Sequence, residues 1–240
     1  MEKKYHNFYQ YSTISALMGK DFYGSISFKE LLTKGDFGIG TFDSIDGELI
    51  VLEGKTYQML NSGQVKTVTN DMTSPFASLT WFKSNIKIAC DNLTYEQLET
   101  KITQLLPSPN LFYAYKITGN FQQVMVRTVT KQTIPFPSLL AATKDQAVMT
   151  INNVSGDIVG FWTPKFASTI GVAGFHSHFI SNDKMQGGHV FNVISNKIHV
   201  EISYLNNMEL QLPTSNSYLQ YEIVENNLQD AIKQAESQRK

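Results

Sequence analysis

The chain has 240 residues, 42% of them hydrophobic, which is enough for a substantial core in one large domain or two small ones. Its 20 basic and 21 acidic residues leave a net charge of −1 with no block of like charge, so a nucleic-acid-binding protein is not expected. The only cysteine, Cys90, rules out an internal disulfide and suits a cytoplasmic protein; no apolar run approaches the ~18 residues that cross a bilayer, so no membrane role is expected either.

The residues after Met1-Glu2-Lys3-Lys4 are too polar and broken for the apolar part of a signal peptide. Ser27 stands three residues before Glu30, a capping-box start, and predicts a short helix ending at Gly35. Gly35 to Phe42 reads as a strand entered through a tight turn; Asp46-Gly47 then turns into a strand over 48–52, and Glu53-Gly54-Lys55 into another over 56–60. A phosphate-binding loop at Gly35–Gly40 is excluded, because no Gly-Lys-Ser/Thr follows and the next element is a strand. Strands are expected over 80–82 and 86–90. Thr94 with Gln97 opens a helix from Tyr95 to Leu106, stopped by Pro107, with Leu98, Ile102, Leu105 and Leu106 on its buried face. Segments 112–117 and 123–129 read as two strands around a Gly119-Asn120 turn. Arg127 alternates onto the face of Met125 and Val129, either as a snorkelling edge residue or as a charge held in a pocket for an anion.

The two prolines within 131–138 mark a linker, dividing the chain into an N-terminal β-rich lobe, 1–135, and a C-terminal lobe, 136–240. Strands over 149–154 and 157–162 lead to Gly174–Val200, where four of the five histidines fall, three of them, His176, His178 and His189, within fourteen residues. Side chains alternate on a strand, so His176 and His178 share one face while Phe175 and Phe179 take the other. A turn over 181–188 returns the chain through His189. His-x-His alone is a weak signal; the third histidine after Gly-Gly makes it a metal reading, three imidazoles with an open coordination position, for which zinc ranks first. His199 is out of register and is read as structural. From Asn226 onward the composition is helical, with Leu228, Ile232 and Ala235 on one face and Glu225 and Glu236 as nearby acids.

The expected fold class is α+β, two mainly antiparallel β-sheet lobes with a few helices. A duplicated unit is a hypothesis, since the pattern over 37–57 parallels that over 173–199 with Glu48 matching His189.

Taken together, YQYSTISALM, ELLTKGDFGIGTFDSIDGELIVLEGKTYQ, SPFASLTWF and GFHSHFISNDKMQGGHV resemble α-acetolactate decarboxylase, with matching blocks in order over nearly the whole chain. The resemblance implies that His176, His178 and His189 bind Zn2+, that Glu48 and Arg127 line the site with Thr41 nearby, and that a glutamate of the C-terminal tail folds back onto it. Glu236 is the assignment, with Glu225 as rival. It also implies decarboxylation of 2-acetolactate to acetoin and carbon dioxide through a metal-stabilised enediolate, with Glu48 or Glu236 as proton donor and Arg127 orienting the anion. Other readings of the histidines are a non-catalytic domain stabilised by a structural metal, or another three-histidine enzyme such as a dioxygenase. A homodimer is expected from exposed sheet edges in a chain rich in β-forming residues.

Overall fold

The structure, a computed structural model, describes residues 3–222 and 228–237. Up to residue 80 the chain forms β1 (Asn7–Tyr11), α1 (Ile14–Met18), β2 (Ile26–Ser27), α2 (Phe28–Leu31), β3 (Phe37–Thr41), β4 (Glu48–Leu52), β5 (Lys55–Met59), β6 (Val65–Thr67), β7 (Thr73–Ser74) and β8 (Ala77–Thr80). It continues through β9 (Ile86–Asp91), α3 (Tyr95–Leu105), β10 (Phe112–Thr128), α4 (Leu139–Ala142), β11 (Ala147–Thr163), β12 (Gly174–Ser181), β13 (Gly187–Leu205), β14 (Asn207–Gln211), α5 (Asn216–Gln220) and α6 (Leu228–Ser237). The protein is α+β, as its sequence pattern implies. A seven-stranded sheet runs β14-β1-β8-β3-β4-β5-β6, and a five-stranded sheet runs β10-β11-β12-β13-β9 and closes on itself through a β10–β13 pairing. The β1–β14 pair is parallel and the other ladders are antiparallel.

Burial explains the pattern of β4. Ile50 and Leu52 enter the core between the two sheets, with Phe37, Phe112, Val159 and Phe161, while Leu49 and Val51 pack on the other face against Phe28 and Leu31 of α2. A strand covered on both faces needs the unbroken apolar run Leu49-Ile50-Val51-Leu52. On α3, Thr94 and Gln97 make both halves of the capping box, and Leu98 and Ile102 enter the core of the second sheet, each burial contributing about 1.5–3 kcal/mol. Helices α1, α4 and α6 meet in a separate cluster of Ile14, Leu17, Leu139, Ala142, Ile232 and Ala235. That cluster fixes α6 over one end of the second sheet.

The structure departs from the expected elements in one systematic way. Segments read as two strands around Gly119-Asn120 are one 17-residue strand, β10; the segments either side of residue 155 are likewise β11, and those either side of residue 195 the 19-residue β13. Gly119, at φ 153°, sits at a register shift where a Cβ would lie 2.3 Å from the Lys197 carbonyl oxygen. The glycine permits a bulge and a close approach of two backbones, with no turn. Residue 135 does not separate the sheets either. β9 and β10 precede it yet join the second sheet, and β14 follows it yet joins the first.

One contact ties this framework to the histidine strand. Tyr115 of β10 shares a hydrogen bond of 2.9 Å with Ser177, the residue between His176 and His178, and its ring fills the space where a Cβ on Gly160 of β11 would lie 2.3 Å away. Gly160→Ala is therefore expected to destabilise the protein by about 1–3 kcal/mol, the usual cost of overpacking, and to lower its activity by displacing β12 and its histidines. Denaturant unfolding and activity assays of the variant check both effects.

Candidate active site

The site begins with a single row across the second sheet. His178 on β12 stands directly opposite His189 on β13, and His189 stands opposite Arg127 on β10. Directly paired residues share a face, so register alone sets the guanidinium beside the imidazoles. His176, two residues before His178, adds a third ring, with centroid separations of 5.0 to 5.4 Å among the three. One ring nitrogen from each lies within 4.8 Å of the others.

Burial keeps these rings neutral. His176 is lowered to about 3 by burial first and by the Arg127 charge second. His178 and His189 are held well below the ordinary imidazole value, again chiefly by burial. Neutral imidazole is the ligating form. The tautomer of His178 is also set: Nδ1 lies 2.7 Å from the Leu49 carbonyl oxygen, which can only accept, so Nδ1 carries the proton and Nε2 the lone pair. That Nε2 is buried without a hydrogen-bond partner. The donor set and this orphaned nitrogen fit a bound metal ion, the second sheet supplying the ligands and the first sheet orienting one of them.

Glu48 starts β4, pairs across the ladder with Thr41 at the end of β3, and brings Oε2 to 3.3 Å from His178 Nε2. Burial raises its carboxyl to about 8, Arg127 opposing the shift and Glu236 adding to it. Thr41 lines the same cavity, but its hydroxyl donates to the Gly47 carbonyl oxygen at 2.7 Å and so secures the β3–β4 connection. Arg127 is 2% exposed. Its Nη2 lies 3.2 Å from Glu236 Oε2, and that oxygen is 3.8 Å from both His176 Nε2 and His189 Nδ1. Burial raises the Glu236 carboxyl as well, with Arg127 pulling the other way. Glu225 lies outside the described residues. His199 is exposed and pairs with Ala89 and Thr118, away from the cluster.

The groups so gathered enclose a cavity of about 50 Å³ whose apolar wall comes from Ile14 and Leu17 of α1, Leu139 of α4, Phe76 and Val129. A larger cleft of about 750 Å³ adjoins it, sharing Thr143. Sequence reasoning brought together His176, His178, His189, Glu48, Thr41, Arg127 and Glu236, and missed the rest. The Leu49 and Ala235 carbonyls are backbone groups with no residue-type signal. Gln146 and Phe191, which flank Arg127, reach it only through the pairing of β10 with its two neighbours. Among the described residues no helix is long and apolar enough to cross a membrane.

Comparison with known proteins agrees with this geometry. A family profile described as alpha-acetolactate decarboxylase matches residues 8–225, a span that holds every one of these site residues except Ala235 and Glu236. The alpha-acetolactate decarboxylase of Brevibacillus brevis is 39% identical over 233 residues, covering 97% of this chain and 81% of that protein. That of Bacillus subtilis strain 168 is 41% identical over 208 residues, 86% of this chain and 82% of its own length. A crystal structure of the Bacillus subtilis strain 168 protein matches with a TM-score of 0.94 and 38% identity, covering 96% of this chain and 99% of the other. The likeness runs through both sheets and the histidine hairpin, and the chain belongs to the alpha-acetolactate decarboxylase family, lyases acting on acetolactate.

Proposed function

We propose that the enzyme converts 2-acetolactate to acetoin and carbon dioxide with a zinc ion held by His176, His178 and His189. The observation that carries this reading is the buried, partnerless Nε2 of His178, turned by the Leu49 carbonyl toward two further neutral imidazoles. Three imidazoles leave zinc an open position, the arrangement of catalytic rather than structural zinc, which disfavours the metal-stabilised binding domain. When bound, the ion supplies a Lewis acid to the substrate's adjacent hydroxyl and ketone oxygens and takes up charge as carbon dioxide leaves.

The chain's own residues complete the chemistry. Arg127 holds the anionic substrate, since its Nε is a buried donor with no partner. The wall of Ile14, Leu17 and Leu139 excludes water, which favours a charged carboxylate becoming neutral carbon dioxide. Glu48 serves as the proton donor to the carbon that loses the carboxylate: burial raises its carboxyl to about 8 and raises that of Glu236 as well, with Arg127 opposing both shifts, but Glu236 is the one in direct hydrogen-bond contact with the guanidinium. Thr41 shapes the substrate side of the cavity through the β3–β4 connection. We also propose a cytoplasmic homodimer. β14 is an edge strand with Met208 and Leu210 exposed, and light scattering at micromolar concentration should report twice the chain mass.

Purified protein is expected to contain stoichiometric zinc and to release carbon dioxide and acetoin from 2-acetolactate. His176→Ala, His178→Ala and His189→Ala should each lose metal and activity together, because two imidazoles are too few donors, and His199→Ala should keep both. Metal analysis with turnover assays decides it; full zinc and normal turnover in any of the first three removes that residue from the ligand set.

Glu48→Gln is expected to lose about 10²–10⁴-fold in rate at full zinc occupancy, the usual loss for a general acid, and to lose more than Glu236→Gln. The opposite ranking transfers the donor role to Glu236. The pH profile carries the sign of the same assignment. A donor must start protonated, and Glu48 is raised by burial from the usual carboxyl value to about 8, so the rate should hold near neutrality and fall as pH rises. The charge of a bound metal pulls that limb below 8.

A further inference from the structure

The contacts of Arg127 fall into two sets. Nη1 donates to Gln146 Oε1 at 2.9 Å and to the Ala235 carbonyl oxygen at 2.5 Å, on the side away from the histidines. Nη2 faces the site, 3.2 Å from Glu236 Oε2 and 3.4 Å from His189 Nε2, and Nε is buried without a partner. A guanidinium holds its five N–H donors in one rigid plane, so pinning one terminal nitrogen fixes the direction of all the others. Both groups that pin Nη1 are neutral. They orient the cation without cancelling its charge, as a carboxylate in the same place would.

Gln146 is placed for this task by the fold. It directly precedes β11, whose Val148 pairs with Arg127, and it stands in the wall between the guanidinium and the cleft of about 750 Å³. On β13 the register passes from the Val126–Val190 pair to the Met125–Asn192 pair, leaving Phe191 as the extra residue of a bulge. Its ring lies 5.4 Å from Arg127 Cζ, so the guanidinium has an aromatic face beside it as well as the amide at Nη1. Among the described residues the Gln146 amide bonds to Arg127 and to none of the histidines or glutamates of the site.

We propose that Gln146 is a positioning residue for the decarboxylation, its amide oxygen fixing the plane of the Arg127 guanidinium so that Nε, the buried donor left without a partner, meets the substrate carboxylate beside the Nη2–Glu236 ion pair. The inference rests on the reading of Arg127 as the group that holds the anion.

Gln146→Met keeps length and removes the acceptor. It should lower kcat/KM by about 10- to 100-fold, the scale of a misplaced contact, with zinc content and unfolding midpoint unchanged. Because Gln146 acts through Arg127 alone, the same change made in an Arg127→Lys background should cost no more than about 2-fold, the signature of two residues acting as a unit. Gln146→Glu restores an acceptor and adds a charge, so it should raise KM for the anionic substrate several-fold more than it lowers kcat. A Gln146→Met enzyme as fast as wild type, or one that loses the same factor in both backgrounds, overturns the proposal, as does a Gln146→Glu enzyme that loses kcat with KM unchanged. A fully active Arg127→Lys enzyme overturns the reading of Arg127 and the role of Gln146 with it, whereas a slow Arg127→Lys beside a normal Gln146→Met overturns the role of Gln146 alone.

Discussion

Burying Arg127 is the constraint on which the site depends. A guanidinium cannot shed its proton inside a protein, so a side chain 2% exposed must find acceptors or bear a large desolvation cost. Those acceptors come from two separate parts of the chain, the Ala235 carbonyl and Glu236 from α6 and Gln146 from the segment before β11, with the His189 ring of β13 3.4 Å from Nη2. Ala235 lies in the last turn of its helix, where backbone carbonyls lack helical partners and the dipole is negative, a setting that suits a cation. The charge thus draws the tail helix onto the histidines. Burial chiefly, with the same charge adding to it, holds the three imidazoles neutral, and neutral imidazole is what a metal requires.

The two sheets contribute unlike chemistry through like geometry. In the first, a hairpin sets Thr41 opposite Glu48; in the second, a hairpin sets His178 opposite His189. The hairpins meet where His178 Nδ1 donates to the carbonyl of Leu49, the residue after Glu48. That hydrogen bond aligns the seam and settles which imidazole nitrogen keeps its lone pair.

Much of the site is legible in the sequence because it depends on local periodicity. His176 and His178 share a face by alternation, His189 returns through a Gly-rich turn, and Thr94 with Gln97 announces α3. What was not legible depends on partners distant in the chain. Gly119-Asn120 carries a turn signature, yet whether such a pair turns or bulges is decided by the strand beside it, here Lys197 and Ile198 of β13. The apolar wall from α1 and α4 could not be foreseen, since those helices are short and their burial comes from packing against α6. Residue 135 carries proline signals, but strands pair by hydrogen-bonding need, and the parallel β1–β14 ladder carries the chain back to the first sheet after the second is finished.

That parallel ladder has a consequence for the order in which the protein comes into being. β1 leaves one edge open until residues 207–211 pair with it, and the Arg127 pocket lacks its Ala235 and Glu236 acceptors until α6 docks. Pairing of β3 with β4 and of β12 with β13 needs only local contacts, whereas Arg127 has Gln146 but not its α6 partners until the tail helix packs. Contacts between residues so far apart form slowly, since chain closure comes before any reward from the contact. The Arg127 pocket is therefore closed only when α6 docks, and a chain cut before residue 235 keeps the residues of the histidine hairpin but not these two acceptors.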